Sequence, residues 1–238
     1  MFGKKYSNSR REFLRKGLGV IPVVAIASGS LVTQVVQADS QSTSSTHYNP
    51  TFFTTEEWAF IQSACDLLIP EDEYGAGAIK ACVPEFIDRQ MDTPYGRGEL
   101  WYMQGPFHPE SAPEFGYQLK LAPRSLYRLG ISGCDKWCQQ QFKKTFAELD
   151  KAQQVSVLKQ LEGGKIELGE VPSKTFFSYL LANTKEGFFA DPQYGGNRHM
   201  VGWKMVGFPG ARADFMDWVD HSDRPYPLGP VSISGERG

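Results

Sequence analysis

Four histidines, four cysteines and one late run of glycine, aromatic and charged residues are the places in this 238-residue chain where chemistry could sit. The histidines are His47, His108, His199 and His221. None stands four residues from another, and none lies in a metal-ligand pattern. Asp191, Arg198 and His199 could furnish polar groups for a self-sufficient enzyme. Nothing near them supplies a nucleophile or a metal, so a satisfied structural histidine is the plainer reading. Asp66, Glu71, Asp72 and Glu73 cluster beside Pro70. Such a cluster could hold a cation or a partner, but acidic runs are usually solvated loops. There is no G-x-S-x-G and no G-x-G-x-x-G after a strand. No catalytic, cofactor-binding or metal-ligating residue is therefore assigned.

The densest signal is Asn183 to Gly210, N-T-K-E-G-F-F-A-D-P-Q-Y-G-G-N-R-H-M-V-G-W-K-M-V-G-F-P-G. Asp191-Pro192 and Gly195-Gly196-Asn197 are turn chemistry. Tyr, Trp and Arg are the residue types that anchor protein interfaces. Phe188, Phe189, Asp191, Tyr194, Asn197, Arg198 and Trp203 are thus the candidate partner surface. A loop of Ω type that packs only on its own domain would use the same residues, and both readings stand at this point.

The N-terminus says where the chain works. Ser9 to Lys16 reads S-R-R-E-F-L-R-K, a charge-free apolar stretch follows to Gln37, and V-Q-A occupies Val36 to Ala38. A basic n-region, an apolar h-region and a small-residue site make an export signal. Arg10 and Arg11, with Phe13 and Leu14 behind them, make it a twin-arginine signal with cleavage between Ala38 and Asp39. That route carries folded cargo to the periplasm. The alternative is a retained membrane anchor, since the apolar stretch is just long enough to span a bilayer. Its glycines, serines and Pro22 dilute it. The expected organisation is a signal over 1–38, a flexible linker over 39–50 and one domain over 51–238.

Cutting at residue 38 removes six of the 25 basic residues and one of the 27 acidic ones, leaving 19 against 26, a net charge of −7. That argues against nucleic acid or anionic lipid as the main partner, because both need a basic face. Two hundred residues can bury a real core. An even number of cysteines in an oxidising compartment implies two disulfides among Cys65, Cys82, Cys134 and Cys138, with buried free thiols as the alternative. Cys134 and Cys138 are four apart on one helix, a strained geometry for a disulfide, so links between helices are favoured.

The elements that position these residues are helical. Thr54-Thr55-Glu56-Glu57 is a capping box ahead of Trp58, Ile61, Cys65 and Leu68. Val83-Pro84 opens a second helix to about Met91. Residues 92–122 form a long Pro/Gly/aromatic insertion, with at most a short helix near 98–103. Pro123 opens a longer helix whose buried stripe is Leu126, Tyr127, Ile131, Cys134, Trp137, Cys138 and Phe142. Asp150 to Gln153 caps another helix, which Gly163-Gly164 ends. Ser173 caps one more, with Phe176, Phe177, Leu180 and Leu181 inward. No run alternates convincingly enough for a sheet. The class is mainly α, a single irregular helical domain with long Gly/Pro/aromatic-rich loops.

The stretch G-F-F-A-D-P-Q-Y-G-G-N-R-x-x-x-G-W-K-x-x-G-F-P-G resembles the signature of the gluconate 2-dehydrogenase subunit 3 family. L-L-I-P-E-D (Leu67 to Asp72), G-A-G-A (Gly75 to Ala78), Y-P-L-G-P-V-S (Tyr226 to Ser232) and the twin-arginine leader are similar in order and spacing. The resemblance implies the small subunit of a membrane-associated, flavin-dependent complex that oxidises gluconate or a related sugar. It implies no cofactor in this chain, FAD in a large partner subunit, and haem in a multihaem cytochrome c that feeds the quinone pool. It implies a role in folding, exporting and stabilising the large subunit through the twin-arginine translocase, at the periplasmic side of the inner membrane. A self-sufficient periplasmic enzyme and a general export chaperone are the competing readings.

Overall fold

The computed structural model describes residues 48–221, 224 and 226–238. Arg10, Arg11, Phe13, Leu14, Ala38, Asp39 and His47 lie outside the described residues, with the whole of the leader and most of the linker. The remainder belongs to one compact unit, His47–Gly238.

Six α-helices stand among the described residues: α1 Thr55–Leu68, α2 Val83–Met91, α3 Pro123–Phe142, α4 Lys151–Glu162, α5 Ser173–Phe189 and α6 Val201–Val206. Their starts follow from side chains. Thr54 and Glu57 form a capping box on α1, and Asp150 and Gln153 form one on α4. Pro84 and Pro123 sit in the first turns of α2 and α3, where a missing N–H costs nothing. At α5 the N-cap is Pro172 rather than Ser173, which is the first helical residue and is buried. Residues 98–103 contain no helix: 98–100 are turn and 101–103 bend or irregular. The sheet is one antiparallel pair, β1 Glu167–Leu168 with β2 Val171–Pro172. Two residues per strand are too few to show alternation.

Helix α5 is the axis of the fold and touches each of the other five α-helices. Phe60, Phe146, Phe176, Tyr127 and Leu180 are fully buried around it. The long 92–122 insertion is pinned to α5 by aromatic edges. Trp101 meets Tyr95, Tyr117 and Tyr179 at ring separations of 5.9, 5.1 and 6.1 Å. Beneath them Asn183 receives Tyr127 Oη–H at 2.9 Å and donates to Tyr95 Oη at 2.9 Å and Glu186 at 2.8 Å. Of the expected α3 stripe, Trp137 and Phe142 are only half-buried and pack on each other at 5.8 Å.

The expected disulfides are absent. Cys65, Cys82, Cys134 and Cys138 are all free and buried. The reason is placement. Cys65 on α1 faces the Thr184 hydroxyl on α5 at 3.6 Å. Cys82 lies in a left-handed position at the N-cap of α2, its thiol toward the Lys80 carbonyl. Cys134 and Cys138 share one face of α3, where regular helix geometry holds their Cβ vectors nearly parallel. Burial pushes the Cys65 thiol up to about 12 and the Cys82 thiol up to about 11. The Cys138 thiol, with burial, pushes Cys134 well up. All three are poor nucleophiles as they stand.

Candidate functional site

The Gly- and aromatic-rich block begins inside α5, which runs on through Gly187 to Phe189. Asp191 then caps a turn of 3-10 helix, Pro192–Tyr194, by accepting from Gln193 N at 3.1 Å. Its other oxygen accepts from Ile233 N at 2.7 Å, so one buried carboxylate ties the turn to the C-terminal tail. The tail is held further on by Val231, whose N–H donates to Pro209 O at 3.1 Å and whose carbonyl accepts from Ala211 N at 2.7 Å.

Asn197 is the pin of the block. It is fully buried, donates from Nδ2 to Ala190 O at 2.9 Å, and accepts from Gly202 N at 2.8 Å. One side chain therefore satisfies the end of α5 and the start of α6. Trp203 adds a bond from Nε1 to Phe189 O at 2.7 Å. Asn197, His199 and Met200 have φ of +47°, +56° and +54°. Left-handed backbone in non-glycine residues costs about 1–2 kcal/mol each. Three such residues in four persist only where the surroundings over-determine them. The glycines are needed for close approach. A Cβ on Gly196 would strike the Gly187 carbonyl oxygen, and one on Gly202 would strike that of Phe188.

The structure thus divides the candidate residues. Phe188, Asp191, Asn197 and Trp203 are buried and hold the block together. Phe189 and Tyr194 project, with 42% and 51% of their surface exposed. Met205, Val206 and Phe208 are exposed beside them in sequence, and Phe208 packs edge-on to Trp203 at 5.2 Å. Tyr74, in the acidic loop, is 78% exposed, and Met205 meets that loop at Gly75. The end of α6 therefore lies beside the Gly75 turn of the acidic loop. Arg198 is exposed, and a single guanidinium nitrogen reaches both oxygens of Glu85 at 3.2 Å. Its own N–H donates to Ala81 O at 3.1 Å. Glu85 and the tail residue Ile233 carry no motif that would have singled them out.

No catalytic grouping forms from the polar candidates. Asp191 and Arg198 are each engaged by separate partners of the same chain, and His199 is exposed. His108 pairs with Glu110 at 3.2 Å, and His221 rests against the Trp218 ring at 4.8 Å. Asp66 meets Lys151 at 3.1 Å, Glu71 meets Lys80, and Asp72 accepts from Tyr74 N at 2.9 Å. Glu71, Asp72 and Glu73 are exposed. Among the described residues, no three His, Cys, Asp or Glu side chains group as a metal site.

Comparison with known proteins fits this arrangement. The family model described as gluconate 2-dehydrogenase subunit 3 matches residues 55–210, from α1 through the end of the glycine-rich block. No curated protein and no solved structure matches the chain. The match covers well over half of the sequence, and the chain belongs to the gluconate 2-dehydrogenase subunit 3 family, subunits of a dehydrogenase complex.

Proposed function

We propose that the chain is the non-catalytic small subunit of a periplasmic, membrane-associated, flavin-dependent complex of the gluconate 2-dehydrogenase type. A large subunit bearing FAD oxidises gluconate or a related sugar, and a multihaem cytochrome c passes the electrons to quinone. The small subunit assists folding, twin-arginine export and stability of the large one. What carries this reading is the family match read with the divided signature block. Its buried half holds a strained, rigid scaffold, and its outer half leaves Phe189 and Tyr194 exposed, with Arg198 exposed and paired with Glu85. Rigid, exposed aromatic and arginine side chains are what protein interfaces use as anchors. The S-R-R-E-F-L leader supports the export role.

The test is co-purification of the flavin subunit on a tagged small subunit. Phe189→Ala and Tyr194→Ala are expected to weaken assembly by about 30-fold or more, as an interface anchor worth about 2 kcal/mol requires. Neither should lower the melting temperature of the isolated subunit by more than about 2 °C. Normal assembly with both variants would refute the assignment of this face.

A further inference from the structure

A cavity of about 470 Å3 lies at the start of α5, the opposite end of that helix from Phe189. That is room for a small molecule. Gly164, Glu167, Gly169, Ser173 and Lys174 line it, with Leu168 and Val171 buried between them. The local sequence builds it from two turns. Gly164, just past α4, has φ +71°, and Gly169, between the two strands, has φ +74°. Nothing lies within 4 Å of where a Cβ on Gly169 would stand, so the cavity is open there. The Lys174 stem lies across Gly164, where a Cβ would come within 2.9 Å of its Cε.

The groups at this end of α5 are donors. Its N-cap, Pro172, has no side-chain acceptor, so the N–H groups of Lys174 and Thr175 are left uncapped. Ser173 is only 5% exposed, lines the cavity, and its hydroxyl has no hydrogen-bond partner among the described residues. Buried hydroxyls ordinarily find a partner, so this one points to a ligand. The first turn carries no acid, and the Lys174 ammonium forms no ion pair among the described residues. Uncapped amides at the positive end of a helix, a free hydroxyl and an ammonium suit an oxyanion. Glu167 is the one acid on the lining, is exposed, and can only accept. Its neighbour Glu170 is held by Lys120 at 3.2 Å. Glu167 repels a bare anion but suits a hydroxyl carried beside one.

We propose that this cavity binds a small hydroxy acid, with its carboxylate on the start of α5 and a hydroxyl donating to Glu167. The carboxylate accepts from the uncapped amides, from Ser173 Oγ–H and from the Lys174 ammonium. Gluconate, the sugar acid in the family's description, is of this class. On the complex proposed above, the site holds the substrate class on a subunit that does no chemistry. The binding itself is argued from this chain's own donors and does not rest on that complex. A seated ligand bridges the Gly164 turn, the β1–β2 hairpin and α5, so it stabilises the folded chain.

The test is a titration of the full chain with gluconate, read by the backbone amide NMR signals. Saturable shifts at Gly164 and Ser173 to Phe176 are expected, with a Kd of about 1 mM. At about 100 times that concentration the melting temperature should rise by roughly 5–11 °C. Acetate, which lacks the hydroxyls, should bind about tenfold more weakly, and Glu167→Ala should erase that difference. Ser173→Ala and Lys174→Gln should each weaken gluconate about fivefold or more, and neither should move the ligand-free melting temperature by more than about 2 °C. Shifts that do not saturate, or that glucose or chloride at equal ionic strength reproduces, refute the site. Unchanged affinity in both Ser173→Ala and Lys174→Gln refutes its placement. Inorganic phosphate binding more tightly than gluconate refutes the hydroxy acid in favour of a bare oxyanion. Co-purification of the flavin subunit is measured without gluconate, so failure there leaves this site standing, and failure here leaves the complex standing.

Discussion

Replacing Asn197 should unfasten the signature block. The side chain makes two buried hydrogen bonds, to Ala190 O and from Gly202 N. Asn197→Ala removes both and leaves a carbonyl and an N–H without partners, about 1–3 kcal/mol each when a buried group goes unsatisfied. The position also has φ +47°, which asparagine tolerates and alanine does not, adding about 1 kcal/mol. The expected loss is roughly 3–7 kcal/mol, or about 6–28 °C in melting temperature for a domain of this size. Asn197→Gly relieves the backbone but not the bonds, so it should fall between wild type and alanine. Thermal melts and urea titrations of the three proteins read this directly. An alanine variant that melts within about 2 °C of wild type would show that the bonds do not hold the block. A glycine variant worse than alanine would show that the left-handed backbone is not a cost.

The thiols offer a second check: alkylation in denaturant without reductant should label all four cysteines, whereas the native chain should react slowly because each is buried. Two protected thiols in that experiment would restore the disulfides. Stability should decline in alkali. Burial holds Cys65 and Tyr48 up at about 12 and Cys82 at about 11, above their unfolded values, so this stability is whole below about pH 9 and is lost as pH rises toward 12. A denaturation midpoint unchanged between pH 8 and pH 11 would contradict it. Arg10→Lys with Arg11→Lys should leave both this chain and its flavin partner in the cytoplasm, and fractionation that finds the partner in the periplasm would refute a shared leader.

Much of the helical frame was legible because it is written in local chemistry. The capping boxes at Thr54 and Asp150 and the prolines at 84 and 123 mark starts that need no tertiary information. Where the sequence reading failed, a distant partner decides. Glycine is needed at 187 inside α5 because the Phe86 ring and Val83 occupy the space a side chain would need. The 92–122 insertion holds its shape through Trp101, Tyr117 and Tyr179, contacts across 62 and 78 residues that no periodicity encodes. The disulfide expectation rested on compartment and an even count, neither of which says where a Cβ vector points.

The glycine-rich block left two readings open, a partner surface or a self-packed loop, and on the proposed function they are halves of one design. A surface that must present Phe189 and Tyr194 at fixed angles needs a backbone that cannot relax. The strain at Asn197, His199 and Met200 is held by bonds from Asn197, Asp191 and Trp203, all internal. Internal packing is therefore what would make the outer residues usable, since ordering loose side chains on binding costs about 0.5–1.5 kcal/mol apiece. It follows that the two kinds of variant should not add. Once Asn197→Ala has loosened the block, Tyr194→Ala should cost assembly less than it does in the intact subunit. A double-mutant cycle read by co-purification measures that coupling, and full additivity would mean that the scaffold and the surface are independent.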